Sequence, residues 1–196
     1  MRNRVAVSRG LRRLMIAAIA FAIAFAVAAG APVAAQPRDV SGVRVLAIAP
    51  FFDDNPLNRR IAGFGAARLG DLLKGGRLQI VDAGRVAAEL QRQVLAPTDL
   101  ISPSKTIAVG IAVGADAVLT GRVLEVMQEP ASGMGGDDFA AIEGRVTVDI
   151  RILDVKTHLK FFEGEVNCSV PALVAVAMEC VARRTAARVN ALWPRN

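Results

Sequence analysis

Apolar residues recur along the chain with two spacings, which predict alternating strands and helices. Short continuous apolar runs are typical of buried strands, and apolar residues three or four positions apart are typical of helices that pack on one side. The predicted strands cover residues 43–49, 78–81, 117–126, 143–153 and 159–166, and the predicted helices cover residues 59–74, 83–94, 105–113 and 171–192. The order β-α-β-α-α-β-β-β-α favours a single α/β domain in which helices pack on a mixed β-sheet.

One predicted strand shows a clear two-residue period. In residues 143–153 the even positions from Val146 to Ile152 are apolar, and Thr147, Asp149 and Arg151 lie between them. This alternation predicts a half-buried antiparallel strand, and the turn at residues 156–158 predicts a hairpin with the next strand. The preceding residues 127–141 combine a proline with several glycines and acidic residues, so we expect a mobile loop there.

The first 35 residues lie outside this pattern and have the features of an export signal. Five arginines precede an apolar run over residues 14–29, Gly30 and Pro32 break the run, and small residues follow. A basic segment, an apolar stretch and a small-residue cleavage site define a signal peptide. We therefore expect cleavage between Ala35 and Gln36. A leader over residues 36–42 and a folded domain over residues 43–193 follow.

An uncleaved membrane anchor is the alternative for the same segment. The strictly apolar run has 16 residues, short of the roughly 20 that span a bilayer as a helix. Counting from Leu14 to Ala35 gives 22 residues, so the sequence leaves an anchor open. A cleaved protein would be periplasmic, and an uncleaved one would be anchored in the inner membrane and face the periplasm. In either case we expect membrane contact only through this segment.

Removing the signal segment changes the charge of the chain. The full sequence has 24 Lys and Arg and 18 Asp and Glu, a formal net charge of +6. Five of the arginines precede residue 36, so the remaining chain keeps 19 basic and 18 acidic residues and a net charge of +1. Binding of nucleic acid depends on concentrated positive charge, so we expect no nucleic-acid partner.

The two cysteines, Cys168 and Cys180, bear on the compartment. In an oxidising periplasm they could form a disulfide, which would stabilise the fold by about 3 kcal/mol in the chain-entropy description. Two buried free thiols are the alternative. A single histidine and the absence of a CxxC motif do not fit a zinc site. We expect neither a metal nor a cofactor.

Four short segments share a pattern with known envelope proteins. They are Pro50-Phe51 after the first strand, Ile80-Val81-Asp82 in the second, residues 109–123 with Gly114-Ala115-Asp116, and residues 146–157. These segments resemble a bacterial family that includes the curli secretion lipoprotein CsgG, the penicillin-binding-protein activator LpoB and the amino-terminal domain of TolB. The resemblance covers about residues 43–192. It implies the α/β fold and a non-enzymatic role in envelope assembly, secretion or regulation, through binding of another envelope protein.

The chain also departs from this family. No cysteine follows the apolar run, so the lipid-bearing cysteine of the secretion pore is missing from this sequence. The chain is too short for this fold and additional barrel strands, so we do not expect pore formation. His158 replaces the turn glycine, and histidine tolerates positive φ better than most residues, so we expect the turn to persist. Members of such a family self-associate, so a structural subunit of an envelope complex is an alternative function.

The sequence offers little catalytic chemistry, and we expect no enzyme. His158 is the only histidine and lies on a predicted turn. Catalysis would require a nucleophile and an orienting carboxylate beside it, and no motif in the sequence suggests such a set. Gly63, Gly65 and Gly70 do not match a dinucleotide fingerprint, because they lie inside a predicted helix instead of at a strand-to-helix turn. The acidic pairs at residues 53–54 and 137–138 lack the spacing of a calcium loop. A small-ligand-binding periplasmic protein is a further alternative.

Two loops provide a candidate partner-binding patch. Phe51 and Phe52 are adjacent, so one ring would be exposed at the strand end unless both pack under neighbouring helices. The second loop is the glycine-rich segment at residues 127–141. The candidate residues are Phe51, Phe52, Asp53, Asp54, Met134 and Phe139. We predict that another envelope protein binds there.

Overall fold

Five strands form the sheet, in the order β2-β1-β3-β4-β5. From β1 to β5 they are Val45–Ile48, Gln79–Val81, Ala117–Pro130, Ile142–Asp154 and Lys160–Val170. β1 runs parallel to β2 and β3, whereas β3, β4 and β5 are antiparallel neighbours. The computed structural model describes residues 40–130 and 142–194. Ala35, Gln36, Met134 and Phe139 lie outside the described residues, with the rest of the signal segment.

Four helices of the described chain pack on the two sides of the sheet. From α1 to α4 they are Arg59–Leu73, Ala83–Arg92, Pro103–Val113 and Val174–Leu192. Apolar side chains of α1 and α4 pack against residues of β1, β3, β4 and β5 on one side. The other side carries α2 and α3, which share a second apolar cluster with residues of β1, β2 and β3. The predicted mixed α/β sheet and the predicted order of its elements are confirmed.

The larger core lies between the sheet and the pair α1 and α4. The apolar positions of β4, Val146, Val148, Ile150 and Ile152, are at most 1% exposed, which confirms the predicted alternation. The Phe51 ring lies between the sheet and the helix pair α1 and α4. A Cβ atom on Gly121 of β3 would approach it to 2.5 Å, and one on Gly65 of α1 to 3.3 Å. Both glycines therefore leave room for this ring.

The Gly114-Ala115-Asp116 segment connects α3 to the sheet. Gly114 ends α3 with φ of 73°, a left-handed conformation that glycine adopts without a Cβ clash. The Asp116 carboxylate then accepts hydrogen bonds from the backbone N–H groups of Arg44 and Val45, at 2.8 and 2.9 Å. The segment thus fixes the start of β3 next to the start of β1. Its role in this chain is structural.

Four predicted boundaries need correction, one of them the end of β5, which lies at Val170 instead of residue 166. β3 extends to Pro130 and pairs with the start of β4 at Ile142, so residues 127–130 of the predicted loop belong to the strand. Residues 131–141 lie outside the described residues. Backbone pairing across the hairpin outweighs the turn signal of Pro130, which lies at the end of the strand. α3 begins at Pro103 with Ser102 as its N-cap, and α4 begins at Val174, after Pro171. Pro103 is the first residue of α3, whereas Pro171 precedes the first residue of α4 by three positions.

The turn between β4 and β5 has the predicted form. His158 has a φ of 63°, and the Asp154 carboxylate accepts hydrogen bonds from the backbone N–H groups of Lys156 and Thr157. The histidine therefore takes the left-handed position that glycine usually fills. No helix within the described residues is both long enough and apolar enough to cross a bilayer.

The structure joins Cys168 of β5 and Cys180 of α4 in a disulfide, with their Cα atoms 6.1 Å apart. Cys168 is buried at 3% exposure, and Cys180 is partly buried against the same core. The bridge links the edge strand to the helix that covers it. This is the pairing that the sequence predicts for an oxidising compartment.

Candidate binding surface on the uncovered side of the sheet

Among the described residues, helices cover only one end of the side of β3, β4 and β5 that faces away from α1 and α4. The apolar cluster under α2 and α3 reaches β3 at Val118 and ends near β4 at Val155. Beyond these residues the strand register places polar and charged side chains side by side. We call this surface the open face. It consists of Thr120, Arg122, Glu125, Met127, Glu129, Glu143, Arg145, Thr147, Asp149, Arg151, Glu163, Glu165, Asn167 and Ser169.

Alternating charges cross the open face from the loop after β1 to the edge strand. Asp54 in that loop pairs with Arg122 of β3, with 2.5 Å between Oδ2 and Nη2. Arg122 lies opposite Asp149 in the β3–β4 register. The side chain of Asp149 is only 14% exposed and pairs with Arg151 at 2.9 Å. Each charge on this path therefore lies next to one of opposite sign.

The same path continues into β5. Arg151 Nε lies 3.0 Å from an oxygen of Glu163, and Lys160 pairs with the other oxygen. The hydrogen bond from Lys160 holds the pKa of Glu163 below its ordinary value, and the positive charges of Lys160 and Arg151 act in the same direction. The Glu163 oxygen lies off the N–H direction of Arg151 Nε, so this buried nitrogen donates no hydrogen bond within the described residues.

A shallow groove lies where this path meets the 3₁₀ turn Pro97–Ile101. Its space for solvent is about 20 Å³, enough for about one water molecule. Sites for small molecules typically enclose about 300–1,000 Å³, so this groove does not enclose a metabolite. The lining residues are Phe52, Leu100, Ile101, Thr120, Arg122, Asp149 and Arg151.

Exposed apolar side chains accompany these charges. Ile101 lines the groove and is 45% exposed. Leu124, at the register shift between Val123 and Glu125 in β3, is 47% exposed. A bulge adds a residue to one strand and locally redirects its side chains. Apolar contacts beside a charged surface are typical of protein interfaces.

The structure corrects the predicted aromatic patch. Phe51 is 4% exposed and Phe52 is 6% exposed, so the expectation that one ring faces solvent is wrong and the alternative of two buried rings is right. The chain can bury both because the Phe52 backbone pairs with Arg122 of β3 while Phe51 packs against α1 and α4. Neither ring offers a docking surface.

The acids that follow these rings have separate structural roles. Asp53 accepts hydrogen bonds from the backbone N–H of Asn55 at 2.6 Å and from the Asn58 side chain at 2.9 Å. It thereby shapes the loop before α1, whereas Asp54 joins this loop to the open face. Within the described residues, no three side chains of metal-binding type lie together.

Sequence reasoning missed the open face as a candidate site. It did predict that Asp149 and Arg151 share the polar side of one strand, but it assigned that side to solvent. The contribution of Arg122 and Glu163 depends on the registers of β3 and β5 against β4. Alternating charges in three consecutive strands are the signal that could have pointed to it.

The fold is found in a bacterial lipoprotein. No protein-family model matches the chain, and no curated protein matches it. Among solved structures, lipoprotein GNA1162 from Neisseria meningitidis matches with a TM-score of 0.53 and 15% identity, over 76% of this chain and 98% of that protein. At this identity the similarity shows a shared fold.

Two further solved structures match less closely. The LpoB C-terminal domain from Salmonella enterica has a TM-score of 0.40 and 21% identity, over 64% of this chain and 84% of that chain. TolB from Acinetobacter baumannii has a TM-score of 0.40 and 17% identity, over 78% of this chain and 28% of that chain. The predicted envelope-protein fold is supported through GNA1162. The relation to CsgG stays a prediction.

Proposed function

We propose that this domain is a non-enzymatic periplasmic protein that binds another envelope protein through the open face. The observation that supports the proposal best is the alternating charge path from Asp54 to Lys160, on a side of the sheet where the described helices lie at one end only. Such a surface can steer a partner with a complementary pattern and reject one without it. Its role would lie in assembly, secretion or regulation at the envelope.

The size and shape of the open face support a macromolecular partner. Five rows of side chains along β3 and β4 extend over about 27 Å, given about 6.8 Å for every second residue of a strand. The groove within it holds little more than one water molecule, so binding energy has to come from a broad contact. Ile101 and Leu124 would add apolar contact at the groove and at the bulge of β3.

Two features support the periplasm as the compartment. The N-terminal segment has the order of charges and apolar residues that export requires. The Cys168–Cys180 bridge is a bond that persists in an oxidising compartment. The fold shared with a bacterial lipoprotein is consistent with the same location.

Exchanging two charges of the open face is expected to reduce partner binding at least tenfold. The variant Glu125→Arg with Arg145→Glu keeps the net charge and leaves the path from Asp54 to Lys160 intact. Charges of the partner that are complementary to Glu125 and Arg145 would then face charges of their own sign, which lowers affinity strongly. The measurement is quantitative mass spectrometry of envelope proteins captured by the tagged, exported protein.

The matched control exchanges a charge pair on the opposite side of the domain. Asp71 and Lys74 pair at 2.7 Å on α1 and its C-terminal end, and both are exposed. Asp71→Lys with Lys74→Asp should leave capture unchanged, and both variants should unfold like the parent protein, since exposed pairs contribute little. Equal capture by the open-face variant and the parent would refute the proposal.

A second copy of this chain is a second candidate partner, favoured by the distribution of charge. α1 and α4 together carry six arginines and two acidic residues, whereas the open face carries six acidic residues and three arginines. One copy could therefore lay its helices on the open face of the next, a head-to-tail contact. Capture of one tagged copy by a differently tagged copy would identify a second copy as the partner. This capture should also be lost in the open-face variant.

A further inference from the structure

The outer edge of β5 is the second surface of interest. β5 has 11 residues and ends the sheet, since β4 is its neighbour on one side and no described strand pairs with it on the other. Free edge strands expose backbone donors and acceptors that pair readily with another strand. Proteins that leave such an edge open usually protect it or use it for binding.

Two arginines of α4 occupy this edge. Arg184 Nη1 donates to the backbone carbonyl of Asn167 at 2.6 Å, and Arg188 Nη1 donates to that of Glu165 at 3.1 Å. The Arg188 guanidinium also lies 5.4 Å from the centre of the Phe162 ring, on the helix side of the sheet. Because alternate residues of a strand point their backbone groups to the same edge, the groups of Glu163 and Ser169 face outward too.

The charges on the two sides of this edge have opposite sign. On the helix side lie Arg184 and Arg188, one helical turn apart and in contact with carbonyls two residues apart. On the open-face side lie Glu163 and Glu165, which β4 pairs with Arg151 and Asp149. An added strand would therefore meet positive charge with one set of alternate side chains and negative charge with the other.

We propose that the outer edge of β5 binds an extended segment of a partner protein in which acidic and basic residues alternate. Its backbone would replace Arg184 and Arg188 at the carbonyls of Asn167 and Glu165. The released guanidinium groups would pair with the acidic side chains of the segment, and Glu163 and Glu165 would pair with its basic side chains. This site lies on the edge strand and does not depend on the open face binding its own partner.

The charge pattern disfavours a second copy at this edge. On the open-face side a β5 strand from another copy would present Glu163, Glu165, Asn167 and Ser169, none of which is basic and could pair with the glutamates. On the helix side it would present Phe162, Gly164 and Val166, which offer no carboxylate to the arginines. The edge therefore selects a different sequence from its own.

The test uses two synthetic twelve-residue peptides with equal numbers of Glu and Lys. In one the two residues alternate singly, so each side of the strand carries one sign of charge. In the other they alternate in pairs, so each side carries both signs. We expect the exported, disulfide-bonded protein to bind the singly alternating peptide at least tenfold more tightly, as measured by fluorescence anisotropy. Amide hydrogen exchange should slow at Glu163, Glu165, Asn167 and Ser169.

Variants of α4 separate edge recognition from general charge. Arg184→Gln with Arg188→Gln should weaken binding of the alternating peptide at least tenfold. Arg183→Gln is the control, because Arg183 pairs with Glu179 at 2.7 Å and donates to no carbonyl of β5 in the described structure. Its affinity should stay within twofold of the parent protein.

Several results would overturn the proposal. These are equal or undetectable binding of both peptides, unchanged affinity in the Arg184 and Arg188 variant, or no slowed exchange at the outer amides of β5. Slowed exchange that appears without peptide as protein concentration rises would assign the edge to a second copy and also overturn it. If the double variant does not fold, the exchange data on the parent protein decide alone. The charge exchange at Glu125 and Arg145, which tests the open face, leaves β5 unaltered. A negative result with that variant would therefore refute the proposed function without refuting binding at the edge.

Discussion

Replacing Phe51 with alanine is expected to lower the free energy of unfolding by about 3–5 kcal/mol. The ring is 4% exposed and fills the space that Gly65 of α1 and Gly121 of β3 leave between helix and sheet. Neither glycine has a side chain that could move into the cavity, so only a shift of neighbouring side chains such as Met178 could fill part of it. Denaturant unfolding followed by far-ultraviolet circular dichroism measures the change.

Phe64→Ala is the matched control for this prediction. Phe64 lies next to Gly65 on α1 but is 41% exposed, so the same chemical change should cost much less stability. A Phe51→Ala protein that is as stable as the Phe64→Ala protein would show that Phe51 is not part of the core. Phe51 would then again be a candidate for the partner-binding patch predicted from the sequence.

Loss of the Cys168–Cys180 bridge is expected to destabilise the domain by about 3 kcal/mol, the chain-entropy value for a loop of this length. The sequence separation is 12 residues, and the bridge holds α4 against the edge strand β5. Replacing both cysteines with alanine avoids placing a hydroxyl in the buried position of Cys168. The measurement is again equilibrium unfolding of the purified protein.

Reduction provides an internal control for the bridge. Adding a reductant to the parent protein should bring its stability close to that of the double alanine variant, whereas the variant should not respond. A parent protein whose two thiols are shown to be free, yet whose stability is unchanged, would contradict the prediction. The two sulfur atoms would then contribute to stability only through their packing in the native state, and not through the covalent bond.

The sequence predicts most of the elements because their patterns are local. The apolar positions of β4 alternate without a break, and Asp82 caps α2 by accepting a hydrogen bond from the Arg85 N–H, as its place after a strand indicates. The left-handed turn at His158 also follows from its neighbours. Strand ends were less predictable, because backbone pairing with β4 extends β3 to Pro130, through residues whose composition is typical of a loop.

The candidate surfaces depend on relations between distant parts of the chain. Arg122 and Glu163 join one charge path only because β3 and β5 flank β4 in a particular register. Arg184 and Arg188 look like exposed residues of an amphipathic helix, and their role at the edge of β5 follows from where α4 lies. The adjacent rings of Phe51 and Phe52 are both buried because Phe51 packs against the helix pair α1 and α4 while the Phe52 backbone pairs with β3.

Site-specific photo-crosslinking in intact cells tests the central claim most directly. A photoreactive residue at Met127 samples the open face, and one at Ala67 on α1 samples the opposite side. The account predicts that Met127 forms a discrete crosslink to another envelope protein and that Ala67 does not form this crosslink. Crosslinks to a second copy of this chain from both positions would instead indicate the head-to-tail contact. A partner crosslinked from Ala67 but not from Met127 would contradict it.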